Sequence, residues 1–140
     1  MFCHKKIVHL RETDATGVIY FTSLLQYGVE AFEVFLHAKE ICLSSLLSQG
    51  NFFPIVHAEA NYKTPLYPGD PIEIQLILSH LGNRSFTLES QIFKVFKDIP
   101  SLTLAGSTKI THAFLKQGSQ ETSEIPTEFR SLFQKELIKK

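Results

Sequence analysis

The segment Ser23 to Ala38 most narrows what this chain can fold into. Its polar residues Gln26, Glu30, Glu33 and His37 recur at intervals of four, three and four, which is one narrow stripe of an α-helix. Leu24, Leu25, Val29, Phe32, Val34, Phe35 and Leu36 fill nearly all the rest. A helix that is apolar around most of its girth cannot simply lie on a surface, so another element must wrap it. Ser23, with Gln26 three residues on, offers a capping box at its start. A shorter helical piece is expected around Ile41 to Ser48, ending at Gly50.

The wrapping element is supplied by strands. A first strand is expected over about Phe2 to Leu10, running into the loop Arg11 to Gly17. After Pro54 the period changes to two: Val56, Ala58, Ala60 and Tyr62 alternate with His57, Glu59, Asn61 and Lys63, which predicts a strand with one buried face. Pro65 to Asp70 has turn chemistry, Ile72, Ile74, Leu76 and Leu78 mark the next strand, and Gly82-Asn83 reads as a two-residue hairpin turn. Phe86, Leu88 and Ile92 then change phase to Phe93 and Val95, which predicts a bulge near Ile92. Asp98 to Ser101 turns the chain, Leu102 to Leu115 forms the last strand, and Pro126 to Lys140 forms a terminal helix with Phe129, Leu132, Phe133 and Leu137 as its apolar face. Short turns make the neighbouring strands antiparallel. The fold class is therefore α+β: an antiparallel five-stranded sheet wrapped around one long apolar helix, the hotdog fold, in one domain of residues 1–140 with a core of 1–125 and a terminal helix of 126–140.

Composition removes several function classes. The chain has 140 residues with 14 basic and 14 acidic side chains, so no overall positive field is available to hold nucleic acid or an anionic membrane. The longest uncharged window, Ile41 to Ala58, includes Ser44, Ser45, Gln49, Asn51 and His57 and is too polar to span a bilayer. Cys3 and Cys42 lack metal-pair spacing and are too few for a disulfide framework, which reads as two reduced thiols in a cytoplasmic protein. The six histidines are scattered without ligand spacing, so neither a metal nor a cofactor is expected. No Gly-x-Ser-x-Gly elbow, phosphate-binding loop, His-Glu-x-x-His pair or dinucleotide fingerprint occurs.

The loop from Glu12 to Phe21 remains, where a polar turn opens the long helix. Read from residue types alone, Asp14 is either an Asx-type turn residue or a functional carboxylate. Residue types alone speak first for the turn role, but the neighbourhood leaves the functional one open: a helix N-terminus carries unpaired N–H groups and a positive dipole end. A carboxylate beside such donors is a pair suited to acyl transfer, one group attacking or activating water and the other holding the oxyanion.

Asp14-Ala15-Thr16-Gly17-Val18-Ile19-Tyr20-Phe21, preceded by Glu12-Thr13, resembles the Asp-x-Asp-x-x-Gly-Val-Val-Tyr signature of hotdog-fold thioesterases of the 4-hydroxybenzoyl-CoA thioesterase family. Phe53 to Asp70 resembles that family's second strand and its Pro-x-x-x-Gly-Asp turn. The similarity covers residues 5–115, and the wording around Tyr20-Phe21, Leu43 to Gly50 and Val56-His57-Ala58 is most similar to 1,4-dihydroxy-2-naphthoyl-CoA hydrolases of quinone biosynthesis. The resemblance implies an acyl-CoA thioesterase that releases free acid and coenzyme A, with an aromatic acyl group such as 1,4-dihydroxy-2-naphthoyl. It implies Asp14 as nucleophile or general base, the Phe21 backbone N–H as oxyanion donor, and Gly17 as the residue permitting a sharp entry into the helix.

Arg84 matches the family's basic position for coenzyme A phosphates, for which a guanidinium is well suited, and is otherwise a solvated arginine beside a hairpin. Tyr20 is a further candidate at the substrate. His57, on the polar side of its strand, is first of all a structural histidine and otherwise faces the acyl group or a subunit interface. Glu30 and Glu33 are either a second carboxylate or a solvated or interface face, and Lys63 and Lys109 are surface charges. The family further implies a homodimer or homotetramer whose active sites lie at the subunit interface. The chain departs from the family at Val29, where Asp, Glu or His is common, at Thr22, where Asn or Pro is common, and at Gly82-Asn83, where some members are basic. Two alternatives stay open here: a thioesterase for aliphatic acyl-CoA or acyl-carrier-protein substrates, and a non-catalytic hotdog protein that binds acyl-CoA.

Overall fold

A computed structural model of the chain describes residues 1–96, 98 and 101–138. Seven strands, β1 (Phe2–Ile7), β2 (Asn51–Phe52), β3 (Ile55–Tyr62), β4 (Pro71–Leu81), β5 (Ser85–Val95), β6 (Leu102–Ala113) and β7 (Leu115–Lys116), accompany three helices, α1 (Ser23–Ala38), α2 (Leu43–Ser48) and α3 (Thr127–Glu136). Five strands form one antiparallel sheet in the order β1-β4-β5-β6-β3, while β2 and β7 pair separately. The hotdog arrangement is present, with α1 against the concave sheet.

The helix is seated by side chains at helical spacing: Leu24, Tyr27, Ala31, Phe32, Phe35 and Leu36 are buried. They meet the alternating inward residues Ile72, Ile74 and Leu76 of β4 and Phe86, Leu88 and Ile92 of β5. Full burial of each such side chain stabilises the fold by about 1.5–3 kcal/mol relative to exposure. Gly28 lets α1 approach β6 closely, since a Cβ there would stand 2.8 Å from Thr108 Oγ1. The sheet covers only part of the girth in one chain: Leu25, Val29 and Val34 stay half-buried. Phe129, Phe133 and Leu137 close the far end, Phe133 packing on Phe86 at 4.7 Å between ring centroids.

Several boundaries differ from expectation, each for a local reason. The first strand stops at Ile7 because Leu10–Glu12 winds into a 3₁₀ turn, with Glu12 N–H donating to the His9 carbonyl at 2.9 Å. The capping box does not form: Thr22 precedes the helix without a side-chain cap, and the Ser23 hydroxyl donates instead to the Glu12 carbonyl at 2.8 Å. The β4–β5 hairpin closes through Gly82 N–H to the Ser85 carbonyl at 2.8 Å, so Asn83 and Arg84 are its central pair rather than Gly82-Asn83. The bulge does fall at Ile92, but the inserted residue is Ala105 on β6. The last strand ends at Ala113, and Leu115-Lys116 leaves it to pair with Asn51-Phe52. The turn expected at Asp98 to Ser101 falls partly outside the described residues, as do Lys139 and Lys140 of the expected terminal helix.

The largest correction concerns β3. Its alternation does not bury a face within one chain; Val56 is 60% and Tyr62 52% exposed, and only Ala60 is half-buried. The strand lies at the sheet edge and, among the described residues, bonds to β6 alone, with its other side unpaired. Among the described residues no helix is long and apolar enough to cross a membrane. Both cysteines are free and exposed.

Candidate active site

The loop carrying Asp14 is a small hairpin laid across the start of α1. Asp14 N–H donates to the Val18 carbonyl at 3.0 Å, Thr13 and Ile19 form an isolated antiparallel bridge, and Tyr20 N–H reaches the Glu12 carbonyl at 2.8 Å. The tip turns at Gly17, whose φ of +85° suits glycine and whose N–H donates to the Asp14 carbonyl at 3.1 Å. Gly17 therefore shapes the hairpin tip, not the helix entry, which comes later at Thr22 and Ser23. Ile19 N–H joins the loop to the Leu66 carbonyl at 3.0 Å, in the turn whose Asp70 accepts from Tyr67 N–H at 2.8 Å.

Asp14 is both the turn residue and an available acid. Its Oδ1 accepts the Thr16 N–H at 2.8 Å and the Thr16 hydroxyl as well, while Oδ2 accepts nothing among the described residues. These two bonds, first the hydroxyl and then the amide, hold its pKa below the usual carboxylate value. The side chain is exposed to solvent in the single chain. Phe21 lies where the hairpin meets the helix, and its N–H has no acceptor among the described residues. Its carbonyl accepts the Tyr62 hydroxyl, which anchors the next peptide unit, while the Tyr20 carbonyl, on the peptide that carries the Phe21 N–H, accepts from Ser23 N–H at 2.9 Å. Tyr20 is half-exposed and stands edge-on to Phe21 at 4.7 Å.

Beneath the hairpin lies a residue that sequence reading passed over. Glu12 entered the signature as a bystander, yet its side chain is only 10% exposed and takes Lys6 Nζ at 2.8 Å, His9 N–H at 2.8 Å and the Tyr27 hydroxyl at 3.0 Å. Burial alone would raise its pKa; the Lys6 ammonium and the two other donors outweigh it and leave the carboxyl below its ordinary value. The Tyr27 phenol moves the other way, far above its usual range, through burial and the Glu12 charge. Lys6 also contacts Glu30 Oε1 at 3.1 Å, and Glu30 Oε2 meets His4 at 2.8 Å. The signal was available: an acid at a hairpin base, six residues after a lysine on an inward strand position.

The other candidates separate in space. Glu30 is engaged by β1 through His4 and Lys6. Arg84 is exposed, with one guanidinium nitrogen donating to the Thr122 carbonyl at 2.8 Å. It lies beyond the far end of β4 from the Asp14 loop, about 34 Å away along an eleven-residue strand. His57 is exposed on β3, 3.4 Å from Glu59 Oε1. One chain thus brings Asp14, Gly17, Tyr20 and Phe21 together, joins Glu30 to the hairpin base only through Lys6 and Glu12, and leaves Arg84 and His57 apart. Four surface hollows are lined by other residues, not by Asp14. No group of three or more His, Cys, Asp and Glu among the described residues converges as metal ligands do.

Comparison with known proteins fits this arrangement. A family model described as the thioesterase-like superfamily matches residues 8–133. A 1,4-dihydroxy-2-naphthoyl-CoA hydrolase from Trichodesmium erythraeum is 32% identical over 131 residues, covering 92% of each chain. Its counterpart from Picosynechococcus sp. is 30% identical over 126 residues, covering 89% of this chain and 86% of the relative. The solved structure of a 1,4-dihydroxy-2-naphthoyl-CoA thioesterase from Synechocystis has a TM-score of 0.85 at 24% identity, covering 94% of each chain, a likeness of fold. With nearly its whole length matched, an apolar helix gripped by a five-stranded sheet and an acidic hairpin at the helix mouth, the chain belongs to the thioesterase-like superfamily.

Proposed function

We propose that this protein hydrolyses an aromatic acyl-CoA thioester, of the 1,4-dihydroxy-2-naphthoyl kind, to free acid and coenzyme A. The observation that carries the reading is the pairing of Asp14 with the Phe21 N–H on one hairpin: a carboxylate kept anionic by Thr16 with Oδ2 free, and an uncommitted backbone donor at the positive end of α1. The acyl class is supported by the relatives, which are named 1,4-dihydroxy-2-naphthoyl-CoA hydrolases.

In this mechanism the thioester carbonyl oxygen accepts from Phe21 N–H, which stabilises the charge that develops as the carbonyl becomes tetrahedral. Asp14 Oδ2 either attacks the carbonyl carbon or takes a proton from a water that does. Collapse of the adduct expels the coenzyme A thiolate. After direct attack, water then hydrolyses the acyl–Asp14 anhydride to the free acid and restores the carboxylate; after attack by water, the proton taken by Asp14 passes to the thiolate or to solvent. The Tyr62 hydroxyl on the Phe21 carbonyl and the Glu12 cluster beneath keep the donor and the acid in register.

The working unit is a homodimer or larger homo-oligomer, with its sites at the interface. The free edge of β3 leaves strand N–H and C=O groups unpaired beside exposed Ile55, Val56 and Tyr62, an edge a second copy can complete. Arg84, too distant to serve Asp14 of its own chain, is assigned to coenzyme A phosphates at the other subunit's centre, and Tyr20 to the substrate entrance. Thiol release from naphthoyl, benzoyl and fatty acyl-CoAs tests the reading. The aromatic esters are expected to be favoured by orders of magnitude in kcat/KM, and preference for a fatty acyl ester would overturn the acyl assignment.

A further inference from the structure

We propose that the hollow between α1, α2 and the start of β3 binds a hydroxylated aromatic ring, whose hydroxyl donates a hydrogen bond to His112 Nε2. The hollow measures about 260 Å³ and is walled by Val29, Phe32, Leu36, Leu46, Phe53 and Ile55, among others. A cavity of about 150 Å³ with similar walls holds benzene, so this one has room for fused rings. The inference needs nothing from the thioesterase reading except the identity of the natural ligand.

His112 gives the hollow its chemistry. The residue is 4% exposed, and its Nδ1 lies 3.0 Å from the Phe53 carbonyl. A carbonyl can only accept, so Nδ1 carries the hydrogen. Burial lowers the pKa of the ring and keeps it neutral, so Nε2 bears an open lone pair. Nε2 has no partner among the described residues, although the imidazole lines the hollow. Phe86, stacked at 5.2 Å and 16°, and Phe32 at 5.1 Å fix its plane. An acceptor that opens on an apolar hollow and is bonded by nothing among the described residues favours a ligand that brings a donor on an apolar body. Glu33, exposed at the rim, offers a second acceptor and disfavours a carboxylate there. A phenolic ring meets all three conditions.

The hollow is not where a thioester carbonyl would sit on the same chain. From Ser23 at the hairpin to Phe32 the helix runs about 14 Å, longer than a fused ring pair reaches. The ring is therefore either the acyl group of a substrate held at another subunit's centre or a free phenol.

Calorimetric titration with 1-naphthol and 1-methoxynaphthalene separates these cases. One saturable site per chain is expected, with naphthol about tenfold tighter because only it can donate to Nε2. His112→Phe, which keeps an aromatic on Phe86, should erase that preference. Leu47→Trp, at an exposed rim position of the hollow, should weaken both ligands at least tenfold without shifting thermal unfolding. Absence of saturable binding overturns the proposal, as does equal affinity for the two ligands in the wild-type protein, so the test survives even if His112→Phe does not fold. Displacement of naphthol from the Asp14→Asn protein by 1,4-dihydroxy-2-naphthoyl-CoA identifies the acyl group as occupant; undiminished naphthol binding identifies a free ring. Naphthol binding by a protein that hydrolyses no thioester would leave this site standing and remove the catalytic reading instead.

Discussion

Glu12→Gln removes one charge while keeping the side chain's shape, and the structure fixes what it should cost. The carboxylate takes donors from Lys6, His9 and Tyr27 in a setting where both Glu12 and Lys6 side chains are nearly covered. Breaking a buried pair by removing one partner costs about 3–5 kcal/mol. Here Lys6 keeps Glu30 Oε1 at 3.1 Å, and glutamine still offers one carbonyl acceptor. The loss therefore falls to that of a charge-assisted hydrogen bond, about 2 kcal/mol. For a chain of this length that lowers Tm by about 6 °C.

The pH dependence provides an internal control on that value. The folded pKa of Glu12 lies below its unfolded value, so its contribution is complete above about pH 4.3 and is lost as pH falls through the folded pKa. Urea unfolding of both proteins at fixed chain concentration should thus show a gap at pH 7 that closes with acidification toward the folded pKa. A gap under about 0.5 kcal/mol at pH 7, near the scatter of ordinary surface changes, would refute the assignment of Glu12 as the buried anchor. So would a gap that does not close in acid.

Three further outcomes follow from the same geometry. Tyr62→Phe removes the hydroxyl that holds the Phe21 carbonyl and should lower kcat about tenfold with little change in KM, measured by steady-state thiol release. Gly17→Ala forces a Cβ into a φ of +85° with nothing crowding it, so the cost is conformational, about 1 kcal/mol in urea unfolding, with kcat lowered as the hairpin tip relaxes. Light scattering at micromolar concentration should give at least a dimer, and a lysine or proline placed at Ala58 on the free edge should reduce it to monomer with loss of activity.

The fold was legible wherever a period was long and uninterrupted. Ser23 to Ala38 emerged with its bounds intact because the polar stripe and apolar girth leave no other solution. The inward alternation of β4 and β5 was equally plain in Ile72, Ile74, Leu76, Phe86 and Leu88. Local chemistry misled where a distant partner competed for the same atom. Ser23 has the pattern of a cap, but its hydroxyl is drawn to a carbonyl eleven residues upstream. The β3 alternation does mark one face of a strand, yet whether that face is buried depends on a strand order that periodicity does not encode. At the candidate site the motif marked Asp14 and Phe21, whereas Glu12 and Tyr62 there, and His112 in the separate hollow, owe their importance to partners 15, 41 and 59 residues away.

Asp14→Asn tests the central claim most directly. The substitution keeps size and the turn-forming oxygen, and Asp14 is exposed, so the unfolding temperature should fall only slightly, through weaker acceptance of the two Thr16 bonds. With 1,4-dihydroxy-2-naphthoyl-CoA as substrate, kcat should fall by about 10²–10⁴, the range that a positioned acid–base or nucleophilic group supplies. A folded Asp14→Asn protein that turns over this thioester at the wild-type rate would contradict the account.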